Sequence, residues 1–273
     1  IADSGAVLHV WPETSAPAYL SHDARHRYML SQTARQSGAY QLVGALGANT
    51  EGERVRHYNS CYLFEPDGHL QLRYDKVKLV PFTEQVPYQD DLPFMRREFL
   101  FEYLTFIKTY DIKIWSDFVP GDSLALFSMG DTTFGVLICF ESAFPEYART
   151  MIRQGADFVL GITNDTWFGH SVGIHMHSRF FVTRAVENRC WMVRVANSGL
   201  SYVVDGYGRI WNELPLDARM AAIGRVNRLD GFSVFTVIGD VAGKVSFLLT
   251  VLAAAILLGL WILRKTGLLR RSA

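Results

Sequence analysis

Apolar residues along this chain fall mostly into short runs that switch between strand and helix periods. Ala6-Val7-Leu8-His9-Val10-Trp11 predicts a short buried strand, stopped by Pro12 and followed at once by Glu13. Residues 16–37 carry a helical pattern, and Tyr40 to Leu46 the next strand, with a polar loop through Arg56. Tyr58 to Phe64 alternates as a strand, Glu65-Pro66-Asp67-Gly68 has turn chemistry, and Leu70 to Tyr74 returns as its hairpin partner. Further along come a strand at Leu124 to Phe127, a strand at Thr132 to Cys139 and a helix from Ala143 to Gly155. A buried strand at Phe158 to Thr163 leads into the loop Asn164-Asp165-Thr166-Trp167-Phe168-Gly169 and a helix over 175–189. Trp191 to Ala196, Leu200 to Asp205 and Ile210 to Leu214 complete the strands. Strands alternating with helices, with hairpins between them, predict an α/β (α+β) domain layered α-β-β-α over residues 1–235.

Two stretches depart from that pattern. Residues 88–118 hold a run of bulky apolar side chains, with positions 99, 100, 103, 104, 106 and 107 forming a wide helical face. An ordinary core-packed helix and a lipid-contacting arm both account for it, and the arm reading makes Phe99 and Phe101 lipid contacts. The second stretch is Val245 to Leu263, which carries no charge. Its length corresponds to about 28 Å of helix, one hydrocarbon core, and it shows no polar face. Residues 236–273 are therefore expected to form a transmembrane helix with a basic tail. Arg264, Lys265, Arg270 and Arg271 follow the span and predict a cytoplasmic tail, with residues 1–240 on the outer, periplasmic side.

Composition adds exclusions. The 27 basic and 27 acidic residues cancel, which speaks against a nucleic-acid partner. Cys61, Cys139 and Cys190 lack paired spacing and a nearby His pair, so neither zinc nor a disulfide framework is expected. His170, His175 and His177 lie in one loop-helix region, a weak metal signal. The start at Ile1, a few residues before a strand and with no signal-peptide pattern, gives the expectation of a fragment or processed piece.

Three residues at strand ends make chemical sense together. Glu13 follows a strand and a proline, an arrangement that serves equally for a solvated helix-start acid or a carboxylate placed at a sheet edge. Lys76 and Lys78 fall on the same side of an extended segment, either as a solvated edge or with one ammonium inside a site. Cys139 ends an apolar strand at a strand-to-helix turn, where a buried structural thiol and a nucleophile are the two readings. A carboxylate can take the thiol proton, and an ammonium helped by the backbone N–H of Phe140 can meet the resulting oxyanion. The product is a thioester that a second nucleophile resolves.

With their neighbours, these residues resemble the nitrilase (carbon–nitrogen hydrolase) superfamily and its Glu-Lys-Cys triad, most of all its membrane branch, the apolipoprotein N-acyltransferases. Trp11-Pro12-Glu13, Tyr74-Asp75-Lys76 with Leu79-Val80-Pro81-Phe82 and Glu84, Ile138-Cys139-Phe140-Glu141, Asn164 to Gly169, and Ala196-Asn197-Ser198-Gly199 carry the resemblance, in the family's order, from about Val10 to Ile210. It implies Glu13 as general base, Lys76 as oxyanion stabiliser and Cys139 as acyl carrier, with Glu84 and Glu141 in support and Glu84 orienting Lys76 and the base. It implies a lid at 88–118, Trp167 as a lipid contact, and no cofactor. It also implies a ping-pong reaction at the bacterial inner membrane. A phospholipid would donate its sn-1 acyl chain to Cys139, and the amino group of an S-diacylglyceryl cysteine on a lipoprotein would accept it. Lys78, Thr83 and Phe140 depart from the family's usual His, Gly and Tyr. The family's N-terminal helix bundle and first catalytic strand have no counterpart in the sequence, so this piece alone is expected to be weakly active. A tethered amidase acting on small amides and a non-catalytic lipid-binding protein remain as rivals.

Overall fold

The computed structural model describes residues 5–52, 54–88, 92 and 117–266. Two mixed sheets face each other. The first begins with β1 (Leu8–Val10) and β2 (Ala16–Tyr19), which pair in parallel with successive stretches of β3 (Tyr40–Glu51). Antiparallel β4 (Arg54–Phe64) and β5 (Leu70–Asp75) complete it. The second sheet contains β6 (Leu126–Met129), β7 (Thr132–Ile138), β8 (Phe158–Asn164), β9 (Met192–Asn197), β10 (Ser201–Val204) and β11 (Ile210–Leu214), ordered β11-β10-β9-β8-β7-β6. Its centre, β7-β8-β9, is parallel.

The period of two along each strand sorts side chains between layers. Phe134, Val136 and Ile138 of β7 point between the sheets, where they meet Leu42, Leu63 and Tyr74 of the first sheet. Leu137 points the other way, against Met151 and Ile152 of α2 (Pro145–Arg153) and Phe181 and Ala185 of α3 (Val172–Asn188). On the far side of the first sheet, Ala34 of α1 (Ala24–Ser37) packs with Ala45, Tyr62 and Phe64. This is the layered α-β-β-α arrangement expected from the strand and helix pattern.

Several local expectations shift. Residues 16–19 form a strand where a helix was expected, because Leu20 N–H still reaches Leu46 O on β3 and the helix waits for Asp23 to cap it through His26 N–H. β1 lies at the sheet margin and is only half-buried, with Val7 exposed. The supposed loop before Arg56 is instead the tip of the β3–β4 hairpin, paired as far as Glu51 and Arg54. Lys76 and Lys78 do not share a side: β5 ends at Asp75 and the chain bends, leaving Lys76 buried and Lys78 exposed over the ring of Phe144.

Short helix α4 (Val234–Ile238) docks through Thr236, whose Oγ1 donates to Asn188 Oδ1 at 2.9 Å. Beyond it, α5 (Val241–Lys265) is capped by Asp240, which accepts from Gly243 N–H at 2.7 Å. The helix therefore starts four residues before the expected span at 245. It is long and apolar enough to cross a membrane, and none of its most apolar stretch is buried in the core. A core helix of the globular domain would be buried, so this exposure points to membrane association.

Candidate active site

The site gathers at one end of the facing sheets. Pro12 has no N–H to continue the ladder after Trp11 N–H reaches Leu42 O, so the chain lifts off β3 and returns at Ala16. Glu13 sits on this bulge, directly over Gly44. A Cβ at Gly44 would come within 2.2 Å of Pro12 O and 2.7 Å of Glu13 Cα, so only glycine allows the approach. Lys76 follows β5 immediately, pinned by its own N–H to Asn59 O and by Gly121 N–H to its carbonyl. Glu84 lies in a turn closed by its N–H to Val80 O at 2.9 Å.

Glu13, Lys76 and Glu84 are all buried. Lys76 Nζ lies 2.9 Å from Glu84 Oε1 and 3.6 Å from Glu13 Oε1. Asn59 Nδ2 donates to the same two oxygens, at 2.6 Å to Glu13 and 3.0 Å to Glu84, so one amide group spans both carboxylates. The second oxygens are held by backbone: Asn164 N–H donates to Glu13 Oε2 at 2.7 Å, and Val80 N–H to Glu84 Oε2 at 2.8 Å. Burial alone would pull the Lys76 ammonium down, but the charges of Glu13 and Glu84, joined by that of Cys139 once it ionises, outweigh it and hold the lysine well above its ordinary range.

Cys139 opens a 3₁₀ turn over Cys139–Ala143 directly after β7, with Phe140 next to it. Its φ is +54°, a left-handed conformation that costs an ordinary residue about 1–2 kcal/mol. Such strain on a strand-to-helix turn lifts a side chain clear of the sheet. The helix expected from Ala143 begins instead at Pro145, because the 3₁₀ turn takes up the intervening residues. Burial and the charge of Glu13 push the Cys139 thiol up to about 12 against the pull of Lys76 and a Thr163 hydrogen bond. The resting sulfur is therefore a thiol, and it needs a base to become a nucleophile.

Glu141 is fully buried and joins the lysine loop to the nucleophile turn. Its Oε1 accepts from Tyr74 Oη at 2.8 Å, Val77 N–H at 2.7 Å and Lys78 N–H at 3.1 Å. Oε2 accepts from Ile138 N–H at 2.8 Å. Burial raises its carboxyl, and these donors together with Lys76 oppose the rise.

Of the residues singled out in the sequence, Glu13, Lys76, Glu84, Cys139, Phe140 and Glu141 converge here. Trp167 stands on the adjoining 3₁₀ turn Asp165–Phe168, 53% exposed. Phe99 and Phe101, and the arm at 88–118 for the most part, lie outside the described residues. Sequence reasoning missed Asn59, which lies opposite Leu46 on β3 and next to the Ser60–Asp75 pair, so that strand register brings its amide to Glu13. It also missed the buried group of Asp165, His177 and Arg194, in which His177 Nδ1 lies 2.9 Å from Asp165 Oδ1 and Arg194 donates to Oδ2 at 2.6 Å.

The carbon-nitrogen hydrolase family model matches residues 1–229. Among curated relatives, the apolipoprotein N-acyltransferase of Geobacter metallireducens is 36% identical over 234 residues, covering 86% of this chain and 42% of that protein. The Thermotoga maritima protein of the same name is 34% identical, covering 72% of this chain and 37% of the relative. The Pseudomonas syringae one is 33% identical, covering 81% and 41%. The chain thus spans about two fifths of the length of the curated relatives it matches. Among solved structures, an amidase from Nesterenkonia sp. superposes with a TM-score of 0.55 at 21% identity, covering 78% of this chain and 74% of that one. A variant of that amidase, with a TM-score of 0.54 at 21% identity over 78% of this chain and 77% of its own, carries acrylamide added at its active-site cysteine. At this identity the likeness is one of fold.

Proposed function

This chain belongs to the carbon-nitrogen hydrolase family, and from that premise we propose that it is the catalytic layer of a membrane N-acyltransferase that moves a fatty acyl chain from a phospholipid to an apolipoprotein. Glu13 takes the proton from Cys139, and the sulfur attacks the sn-1 ester carbonyl. The electron pair moves to the carbonyl oxygen, where Lys76 Nζ and the Phe140 N–H stabilise it; donors of this kind contribute about 3–4 kcal/mol each. Collapse expels the lysophospholipid alkoxide, which receives the proton from Glu13, and leaves an acyl thioester on Cys139. The amino group of an S-diacylglyceryl cysteine then attacks the thioester. Glu13 accepts its proton and returns it to the departing thiolate. Glu84 and Asn59 orient Lys76 and Glu13, and Glu141 holds the two loops that carry Lys76 and Cys139. No cofactor enters any step.

The observation that carries this reading is the meeting of a Glu13–Lys76–Glu84 group at a strained cysteine with a long, exposed apolar helix on the same chain. The names of the relatives at 33–36% identity agree with it. In this proposal, residues 1–235 form the catalytic domain and 236–273 the anchor. The tail lies in the cytoplasm and the site faces the periplasm of the inner membrane, as the basic residues at and beyond the end of α5 favour. Trp167, Phe99 and Phe101 contact lipid, and the 88–118 segment closes over the acyl chain.

The solved amidases of the same fold support a second reading, hydrolysis of a small amide by the same three residues. Incubation with phospholipid vesicles followed by intact-protein mass spectrometry separates the two. Acyl transfer gives a long-chain adduct mapped to Cys139. Turnover of soluble amides with no adduct overturns the acyltransferase reading in favour of amide hydrolysis.

A further inference from the structure

Behind the nucleophile turn lies a connected buried group that none of the steps above uses. Arg194, on β9, donates to Asp165 Oδ2 at 2.6 Å and to the carbonyl of Leu200. Asp165 Oδ1 meets His177 Nδ1 at 2.9 Å and accepts from Thr163 Oγ1 at 3.1 Å. His177 Nε2 lies 3.5 Å from Ser142 Oγ, and Ser142 Oγ donates to the carbonyl of Cys139 at 2.8 Å. Asp165, Arg194 and Ser142 are fully buried and His177 nearly so. Gly199 closes the group from the far side, since a Cβ there would lie 2.0 Å from Asp165 Oδ2.

The direction of the chain follows from its chemistry. Burial would raise the Asp165 carboxyl, but the His177 hydrogen bond and the Arg194 charge hold it below its ordinary range. Asp165 can only accept from its neighbours, which places a hydrogen on His177 Nδ1 towards Oδ1, with Arg194 Nη2 3.3 Å from the same nitrogen, and leaves Nε2 turned to Ser142. A serine hydroxyl has one hydrogen, and the 2.8 Å contact directs it to Cys139 O. With that hydrogen spent and the Nε2 lone pair facing the oxygen, no hydrogen bond joins the two; the imidazole limits the serine by packing against its oxygen at 3.5 Å.

The planarity of the peptide bond gives this a consequence for the reaction. The carbonyl of Cys139 and the N–H of Phe140 belong to one trans peptide plane and point in opposite directions. Holding the carbonyl towards Ser142 therefore aims the Phe140 N–H the other way. The geometry points to His177 and Ser142 as positioning residues that, braced by Asp165 and Arg194, fix the Cys139–Phe140 peptide so that its N–H serves as an oxyanion donor. This inference rests on the acyl-transfer reading of Cys139 above. It assigns a function to a histidine that sequence spacing connects only with a weak metal signal.

The test uses the full chain with phosphatidylethanolamine–phosphatidylglycerol vesicles, comparing the parent with Ser142→Ala, His177→Gln and the double variant. Two rates are read: thioester formation on Cys139, which needs the oxyanion donor, and alkylation of Cys139 by iodoacetamide, which does not. Each single variant should acylate roughly tenfold to a hundredfold more slowly, the effect of a donor displaced by a fraction of an ångström to an ångström. Alkylation should stay within about twofold, and KM for lipid likewise, since the loss is confined to the transition state. The double variant should be no worse than Ser142→Ala, because residues acting in series do not add. Acylation at the parent rate in Ser142→Ala overturns the inference, as does a matching loss of both rates, which signals general damage. A parent protein that forms no thioester while its cysteine alkylates overturns the acyl-transfer reading itself, and with it the inference.

Discussion

Two buried carboxylate groups flank Cys139, and they differ in how their charge is met. Glu141 has four donors, three on one oxygen and one on the other, drawn from β5, the loop after it and the end of β7. Three of them are backbone N–H groups and the fourth is the buried Tyr74 hydroxyl, so Glu141 behaves as a staple. Glu13 and Glu84 instead share a single ammonium and a single amide, with one backbone N–H each. Two carboxylates beside one lysine leave an excess negative charge next to a neutral thiol. Glu13 and Glu84 share their partners across the space beside the thiol, whereas Glu141 has a separate donor for each contact. The same residue type thus ties the loops on one side of the cysteine and, in the proposed reaction, serves the chemistry on the other, a division that follows the count and kind of donors.

Removing the shared cation is the most drastic way to break this contrast. Lys76→Met should abolish thioester formation, by roughly a thousandfold or more from the loss of the oxyanion partner. It should also destabilise the fold by about 3–5 kcal/mol because two buried carboxylates lose their counter-charge. Mass spectrometry and denaturant titration read the two effects.

Glu13→Gln sharpens the comparison by separating charge from chemistry. Thioester formation should fall by about 10²–10⁴ with the base removed. Yet the charge of Glu13 is one of the influences that push the Cys139 thiol up to about 12. Its removal should lower that value, so the pH profile of iodoacetamide labelling should shift towards lower pH. A shift the other way would contradict the electrostatic account of the site.

On the structural side, Glu141→Gln keeps an acceptor for the three donors on one oxygen but turns an amide N–H₂ towards Ile138 N–H, or the reverse. The expected cost is about 1–3 kcal/mol of stability from the unmet donor. Any loss of activity should track the loosened loops rather than the pH profile of Cys139. Gly44→Ala should cost about 1–3 kcal/mol by overpacking against Pro12 and Glu13. It should reduce acylation more than its stability loss explains, because the displaced residue is the proposed base.

The smallest effect concerns alkaline stability. Cys139 and Cys190 are both raised from 9.0 to about 12, chiefly by burial. A group whose pKa is raised by folding contributes stability that is complete below its unfolded value and lost as pH rises through the folded one. Unfolding midpoints should therefore fall between pH 9 and 12, and less steeply in Cys190→Ala. Labelling should also distinguish the thiols: Cys139 keeps 9% exposure, whereas Cys61 and Cys190 have none.

The apolar runs alone determined much of this protein. Their period of two marks the strands of both sheets, and the interruptions at Pro12, Asp75 and Cys139 mark where chemistry-bearing residues leave the sheet. Burial preference is written into each residue and its spacing, so layers and strand ends are legible locally. The uncharged run near the C-terminus is legible for the same reason. What only the tertiary structure decided is which polar groups meet. Asn59 reaches both Glu13 and Glu84 because of the register of β4 with β3 and β5. Ser142, His177 and Asp165 come together across a 3₁₀ turn, a helix and a strand end. Lys76 and Lys78 parted company because the chain bends after Asp75 to bring two N–H groups onto Glu141. Hydrophobic burial is non-directional and can be read residue by residue. Hydrogen bonds and charges act over a few ångströms between residues distant in the chain, and only the folded geometry pairs them.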